Sequence, residues 1–374
     1  MRLLSKINFD YIKLRKKGYI ISSVLILLGI ISFIFNGLQL GIDFKGGTEI
    51  AVKFEKPISI SNVRNNLSNT GLGNLEIKTF GGETGVLIRT ELQNIPQNIA
   101  PEVFKRVQDN FSSINDSIKY SVASQDESSI TYLFENDSVA SKMNDKVIAD
   151  GFQTNLDGKE LSVRIGISDW LKEILKEKIS DNRFIIQKED LVGPKIGSEL
   201  KLNAIIAVTL SLLVILIYLG FRFKFIFAAG AVVAAFHDVL ITLGAFSIIS
   251  FLIPSFNLEI SISVIAAFLT LVGYSINDTV IVFDRIREYL KIHKTAPIEE
   301  NINKAINRTM SRTVITSTTT LFTVFVLFIL GGDVLRGFAF TLFFGILIGT
   351  YSSIFVASAI VYDYSQRKNK KIEF

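Results

Sequence analysis

Apolar positions in this chain of 374 residues fall in long unbroken runs instead of core stripes. Six such runs lie at roughly 19–40, 203–220, 225–250, 258–283, 314–331 and 337–361. Each is near the ~20 residues that a bilayer core requires, so the pattern predicts six transmembrane helices. Between the first and second runs the period changes. Thr48–Phe54 alternates as a strand, and Ser59–Leu67 has helical spacing through Ile60, Val63 and Leu67. Leu75–Phe80 and Val86–Thr90, joined by Gly-Gly-Glu-Thr-Gly, read as a hairpin. Asp169–Ile179 is an amphipathic helix and Phe184–Val192 a final strand. The order β-α-β-β…α-β over 48–192 predicts an α+β, ferredoxin-like domain. Residues 94–166 interrupt it with a predicted helix around Pro101–Phe111 and two or three strands.

Charge sets the expected topology. Segments 1–18, 221–224, 284–313 and 362–374 hold nineteen Lys and Arg residues, whereas the opposite short loops, about 250–257 and 332–336, hold only Arg336. Basic loops stay in the cytoplasm. The expected layout is therefore a cytoplasmic N-terminus (1–18), a first helix (19–40) and an extracytoplasmic (periplasmic) domain (41–202). Helices two to six (203–361), with a cytoplasmic loop at 284–313, and a cytoplasmic tail (362–374) follow. The first run is long for a cleaved signal and lacks a small-x-small site, so it reads as a retained anchor.

Composition removes several chemistries. There is no cysteine, and the two histidines, His237 and His293, make a His-based metal site a poor expectation. No phosphate-binding loop or Ser/His/Asp set is present; no cofactor and no nucleic acid is expected. What remains is polarity inside the apolar runs. An Asp at the centre of a membrane helix costs roughly 2.5–3.5 kcal/mol on insertion scales and reads as functional by default. Asp278, preceded by Asn277, lies in the fourth run and Asp238, beside His237, in the third. Arg312, at the start of the fifth run, is the expected partner of Asp278. Arg312, Thr316, Thr319 and Thr323 share one helix face. The hydroxyls either line a proton or ion path or bond back to their own helix carbonyls. Gly345, Gly349, Ser353 and Ala357, and Gly230, Ala234 and Asp238, form close-packing faces, so Asp238 serves either structure or function.

Several strings now point to a family. Gly41–Thr48 (GIDFKGGT), Val192–Leu200 (VGPKIGSEL), FHDVLITLG, GYSINDTVIVFDRIRE, SRTVITSTTT and GGDVLRGFAFTLFFGILIGTYSSIF occur in order. Over nearly its whole length the chain resembles the SecD/SecF family, on its SecF side, within the resistance-nodulation-division superfamily. The resemblance implies one six-helix half of a twelve-helix core in the bacterial cytoplasmic (inner) membrane. Implied partners are a separate SecD chain, the SecYEG channel, YajC, the translocating preprotein and the lipid bilayer. It implies coupling of the proton-motive force to late protein export, with Asp278 and Arg312 as the proton-coupling residues. Asn277, Thr316, Thr319, Thr323 and Asp238 would be a supporting polar path, and Asp43, Gly46 and Gly47 a hinge. The external domain is longer than is usual for the family.

Three other readings compete. A small-molecule exporter of the superfamily would need two large external domains. An intramembrane aspartic protease could pair Asp238 with Asp278, but the Gly-x-Gly-Asp approach is missing. A passive assembly scaffold explains the glycines and leaves Asp278 and Arg312 without a role. The expected class is not an enzyme.

Overall fold

The computed structural model describes residues 8–367 except 69, 103, 106, 107, 109–118, 127, 128, 150, 151 and 165. The chain divides into two compact units. One runs to Gly41 and resumes at Glu199; the other is Ile42–Ser198.

The second unit holds two antiparallel sheets. Strands β1 (Gly47–Phe54), β2 (Glu76–Thr79), β3 (Gly85–Thr90) and β8 (Phe184–Val192) form the first, in the order β2-β3-β1-β8. A helix, Ile60–Leu67, follows β1, and another, Ile167–Lys178, precedes β8. Their apolar faces, Val63 and Leu67 on one and Trp170, Leu171, Ile174 and Leu175 on the other, pack with Ile50, Val52 and Phe54 of β1. The interrupting segment builds the second sheet from β4 (Tyr120–Gln125), β5 (Ser129–Phe134), β6 (Gln153–Asp157) and β7 (Glu160–Arg164), ordered β4-β5-β7-β6. Helix Asp137–Ala149 lies between β5 and β6. The segment thus has four strands where the sequence pattern suggested two or three. The reason is polarity: β4 is almost wholly exposed and β6 buries no residue, so neither carries an apolar signature. The helix expected around 101–111 falls largely outside the described residues.

Glu49 of β1 and Arg89 of β3 are cross-strand partners, both nearly buried. Arg89 bonds Glu49 through two nitrogens and reaches Glu76 of β2 at 3.2 Å. Lys188 of β8 closes on the other Glu49 oxygen at 3.1 Å. Charges of alternating sign therefore cross all four strands. Such a ladder is fragile to single deletion, because the survivor is left buried without its counter-ion.

The other unit is the helix bundle. It comprises span one (Ile12–Asn36), span two (Pro194–Arg222, whose first residues end the second unit), span three (Phe225–Leu252), span four (Ile262–Ile292), span five (Ile298–Leu330) and span six (Gly332–Gln366). These are six helices long and apolar enough to cross a membrane. Spans four and five are longer than the apolar runs that announced them. Their charged ends remain helical because Asn301, Ile302, Ala305, Ile306 and Thr309 bury a stripe. The break at 293–297 is closed by Asn301 Nδ2 donating to the His293 carbonyl at 3.0 Å. Asn307 holds the backbone of Phe9 at both N–H and C=O, and Asn303 accepts from the Ile12 N–H. The chain ahead of span one is thereby pinned to span five. Span six carries a π-helical turn at Ser353–Ala357. Span two is hardly covered by the other spans.

Trp170 is the only tryptophan and sits 3% exposed in the sheet unit, so its fluorescence reports that unit alone. In the full chain, Arg89→Ala is expected to cost this unit about 3–5 kcal/mol, read as a lower urea midpoint of Trp170 fluorescence. An unchanged midpoint would mean that the ladder contributes nothing. A pH effect follows from Glu76. Burial alone would raise its carboxyl, but Lys78, Arg89 and Lys45 outweigh that and hold it below the usual range. A depressed carboxyl stabilises above its unfolded value and loses that contribution as pH falls through the folded one. The Trp170 midpoint should therefore drop on acidification below the usual glutamate range, and Glu76→Gln should flatten the drop.

Candidate functional site

Among the described residues, Asp238 and Asp278 are buried within the spans, in different surroundings. Asp238 of span three is fully buried. Its Oδ2 accepts from Ser275 of span four at 2.6 Å and from Ser352 of span six at 2.8 Å. Its Oδ1 stands 2.9 Å from His237 Nδ1, and His237 Nε2 stands 2.9 Å from Ser22 Oγ of span one. Ser22 in turn meets the Tyr351 hydroxyl at 3.2 Å, and that hydroxyl donates to the Gly18 carbonyl at 2.7 Å. Four helices therefore converge on one carboxylate.

Small residues make this convergence possible. Spans one and three cross at Gly29 and Gly244, where a Cβ on Gly244 would lie 2.7 Å from Gly29 Cα. A Cβ on Gly349 of span six would lie 3.4 Å from Asp238 Oδ2. Gly230 and Ala234 are likewise buried on span three. The glycine faces read from the sequence are thus the faces that bring the helices together.

Asp278 of span four is 1% exposed and less well served. Its hydrogen-bond partner is Ser317 Oγ of span five, at 3.3 Å, and Ser317 accepts from Thr350 of span six at 2.8 Å. Thr279 and Thr313, buried on spans four and five, have hydroxyls with no hydrogen-bond partner. Arg312 is exposed, and no ion pair joins it to Asp278 among the described residues. Asn277 is exposed on span four. The hydroxyls of Thr316, Thr319 and Thr323 bond back to carbonyls of span five and point along an exposed face. Of the two readings of that stripe, the geometry is that of back-bonded hydroxyls. The groups that meet the carboxylates are instead Ser317 at Asp278 and Ser275, Ser352 and His237 at Asp238, with Thr350, Ser22 and Tyr351 one contact further out.

The third predicted element lies in the sheet unit. Asp43 begins a short helix, Ile42–Lys45, and Gly46 and Gly47 follow at φ of 75° and 110°. A Cβ on Gly47 would lie 2.1 Å from the Thr90 carbonyl, and one on Gly46 3.3 Å from the Val192 carbonyl. Both the φ values and the close approach require glycine here. The pair is a tightly packed bend.

Comparison with known proteins reports on these motifs directly. The family model described as protein export membrane protein SecD/SecF, C-terminal, matches residues 171–367, and the SecD/SecF GG motif matches 31–58. The chain belongs to the SecD/SecF family. Protein translocase subunit SecF of Rhodothermus marinus is 40% identical over 98% of this chain and 96% of that relative. That of Calditerrivibrio nitroreducens is 37% identical over 95% and 93%. Among solved structures, SecDF of Thermus thermophilus, a translocon-associated membrane protein, matches 98% of this chain at 30% identity and a TM-score of 0.66. This chain spans 40% of that one. As a SecD/SecF member, it is a multi-pass protein of the bacterial inner membrane with an accessory, non-catalytic part in Sec protein export. The GG motif is the packed bend at Gly46–Gly47, and the larger family segment includes both carboxylates.

The Gly29–Gly244 crossing generates a test. Backbone cannot yield to a new side chain as a flexible side chain can, and overpacking of this kind typically costs about 1–3 kcal/mol. Gly244→Val is expected to lower the thermal unfolding midpoint of the purified chain in detergent. Gly273→Val, where a Cβ meets nothing within 4 Å, should leave it nearly unchanged.

Proposed function

We propose that this chain is the SecF half of a SecD–SecF unit that uses the proton-motive force to drive late steps of preprotein export beside the SecYEG channel, with YajC as a possible further component of the complex, and that Asp278 carries the coupling proton. One observation carries this reading: a carboxyl 1% exposed inside a membrane helix, held by a single hydroxyl and without an ion pair in this conformation. A structural carboxylate in that position would be expected to accept more than one hydrogen bond. A carboxyl that loads and releases a proton must exchange its partners as it does so. Ser317 and Thr350 serve one state; Arg312, which begins the same helix turn pattern, is available to serve another.

The driving force is adequate. One elementary charge moved through 100 mV releases roughly 2.3 kcal/mol, which biases a two-state equilibrium about fifty-fold. The distribution of Lys and Arg supports cytoplasmic termini and an extracytoplasmic sheet unit. Support for a SecD partner comes from two sides. The solved SecDF chain is far longer than this one. Span two is almost uncovered, and span five turns Arg312 outward, a charge that is expensive to leave against lipid. In such a machine Asp43, Gly46 and Gly47 would pass movement to the sheet unit as a stiff joint.

Asp278→Asn keeps the side-chain volume and removes the titration. Expected is a loss of proton-motive-force-dependent secretion of a reporter protein by tenfold or more, with normal co-purification of SecD. Normal secretion in that variant would make Asp278 a packing residue and leave the chain an assembly scaffold.

A further inference from the structure

The hydrogen bonds around Asp238 can be counted, and the count is informative. The Tyr351 hydroxyl gives its one hydrogen to the Gly18 carbonyl at 2.7 Å. With all of these contacts made as hydrogen bonds, the 3.2 Å contact between Ser22 and Tyr351 takes its hydrogen from Ser22. Ser22 has none left for His237, so the 2.9 Å contact to Nε2 requires a hydrogen on Nε2. Asp238 Oδ2 accepts from Ser275 and from Ser352, whose hydroxyl stands nearer to it, at 2.8 Å, than to the Gly349 carbonyl, at 3.1 Å. Oδ1 and Nδ1 stand 2.9 Å apart, and one further hydrogen lies between them. The pair is therefore either imidazole with carboxylic acid or imidazolium with carboxylate. Both forms hold one proton more than neutral imidazole facing a carboxylate, and both have zero net charge.

We infer that His237 and Asp238 form a second proton-binding site in the bundle, loaded with one proton in this structure and connected through Ser22 and Tyr351 to the end of span one. The surroundings favour the neutral, loaded form. Among the described residues, no Lys or Arg forms an ion pair or hydrogen bond with the pair. Span three has no other titratable residue, and span one contributes Ser22. On the same part of span one, Arg15 and Tyr19 bond Asp363, and Lys16 and Lys17 are exposed. Span four offers Ser275, with Tyr274 and Asp278 beside it, and span six offers Ser352 and Tyr351. An unloaded pair would leave one uncompensated negative charge in the bundle, which is costly.

Unloading has a defined course. The Nε2 hydrogen passes to Ser22 Oγ, the Ser22 hydrogen to the Tyr351 oxygen, and the Tyr351 hydrogen to water. Nδ1 then keeps the remaining hydrogen and donates it to the Asp238 carboxylate, while Nε2 accepts from Ser22. Only protons move, and the ring has exchanged its donor. The site is separate from Asp278 and does not depend on the role proposed for that residue.

The chain has two histidines, and His293 is exposed at the end of span four. In full-length His293→Gln labelled with ¹⁵N-histidine and reconstituted in lipid vesicles, solid-state NMR therefore sees His237 alone. The expected spectrum at neutral pH has Nε2 protonated. Raising the pH should shift Nε2 to the unprotonated position while Nδ1 becomes the protonated nitrogen. Tyr351→Phe releases the Ser22 hydrogen to face Nε2, so this exchange should occur at lower pH. In an Asp278→Asn background the exchange should persist, whatever that variant does to secretion. An Nε2 that is unprotonated at every pH, an exchange that ignores Tyr351→Phe, or one that disappears with Asp278→Asn would each overturn the inference.

Discussion

Lipid offers no hydrogen bonds, so each polar group within the bundle must find its partner inside protein. The rest of the bundle follows from that constraint. Asp238 draws spans one, three, four and six to a common point, and only glycine and alanine faces allow the approach. Gly244 against Gly29 sets the distance at which Ser22 can reach His237. Packing and polarity are therefore one problem: the small residues exist so that the hydroxyls can arrive.

The two carboxylates divide the work that a membrane carboxylate can do. Asp238 has three partners of its own, from a neighbouring ring and two hydroxyls. Asp278 has one hydroxyl, shared onward to Thr350. They are linked mechanically, since Ser275 and Asp278 are one turn apart on span four and Thr350 and Ser352 share a turn of span six. The π-turn that begins at Ser353 lies directly beside these two residues. Such turns accommodate a change of helix register, and here one lies where both carboxylate networks touch the same helix.

Much of this was legible in the sequence because the bilayer imposes a strong, local code. Run length gave the six helices, and alternation gave β1, β3 and β8. Gly46 and Gly47 announced a bend, and Asp278 was conspicuous for its cost. What the sequence withheld was direction and distance. The spacing of Arg312, Thr316, Thr319 and Thr323 identifies a shared face but not whether that face turns inward; it turns outward, and the hydroxyls close on their own helix. Ser317, one residue from Thr316, is the group that meets Asp278. Ser22 and Tyr351 are separated from each other by 329 positions, and a lone Ser or Tyr in an apolar run has no signature of its own. The polar strands β4 and β6 escaped for a related reason, since they pair through backbone and bury almost nothing.

The outward face of span five is the remaining anomaly, and it bears on how the halves of this family assemble. A helix that back-bonds four threonine hydroxyls presents methyl groups and weakly polar oxygens, which lipid tolerates and a second helix can pack against closely. Arg312 is different. Its charge is costly against hydrocarbon unless it snorkels to the interface or meets an acid from outside the chain. Its place at the charged end of the span makes the first easy, and an approaching acidic group would make the second better. Asp278, one helix away, is the acid that this chain itself can supply. A movement of span five that turned Arg312 inward would exchange Ser317 for a cation at Asp278. Ser317 also accepts from Thr350, so that movement would break or carry a hydrogen bond to span six, and span six is the helix that carries Ser352 to Asp238.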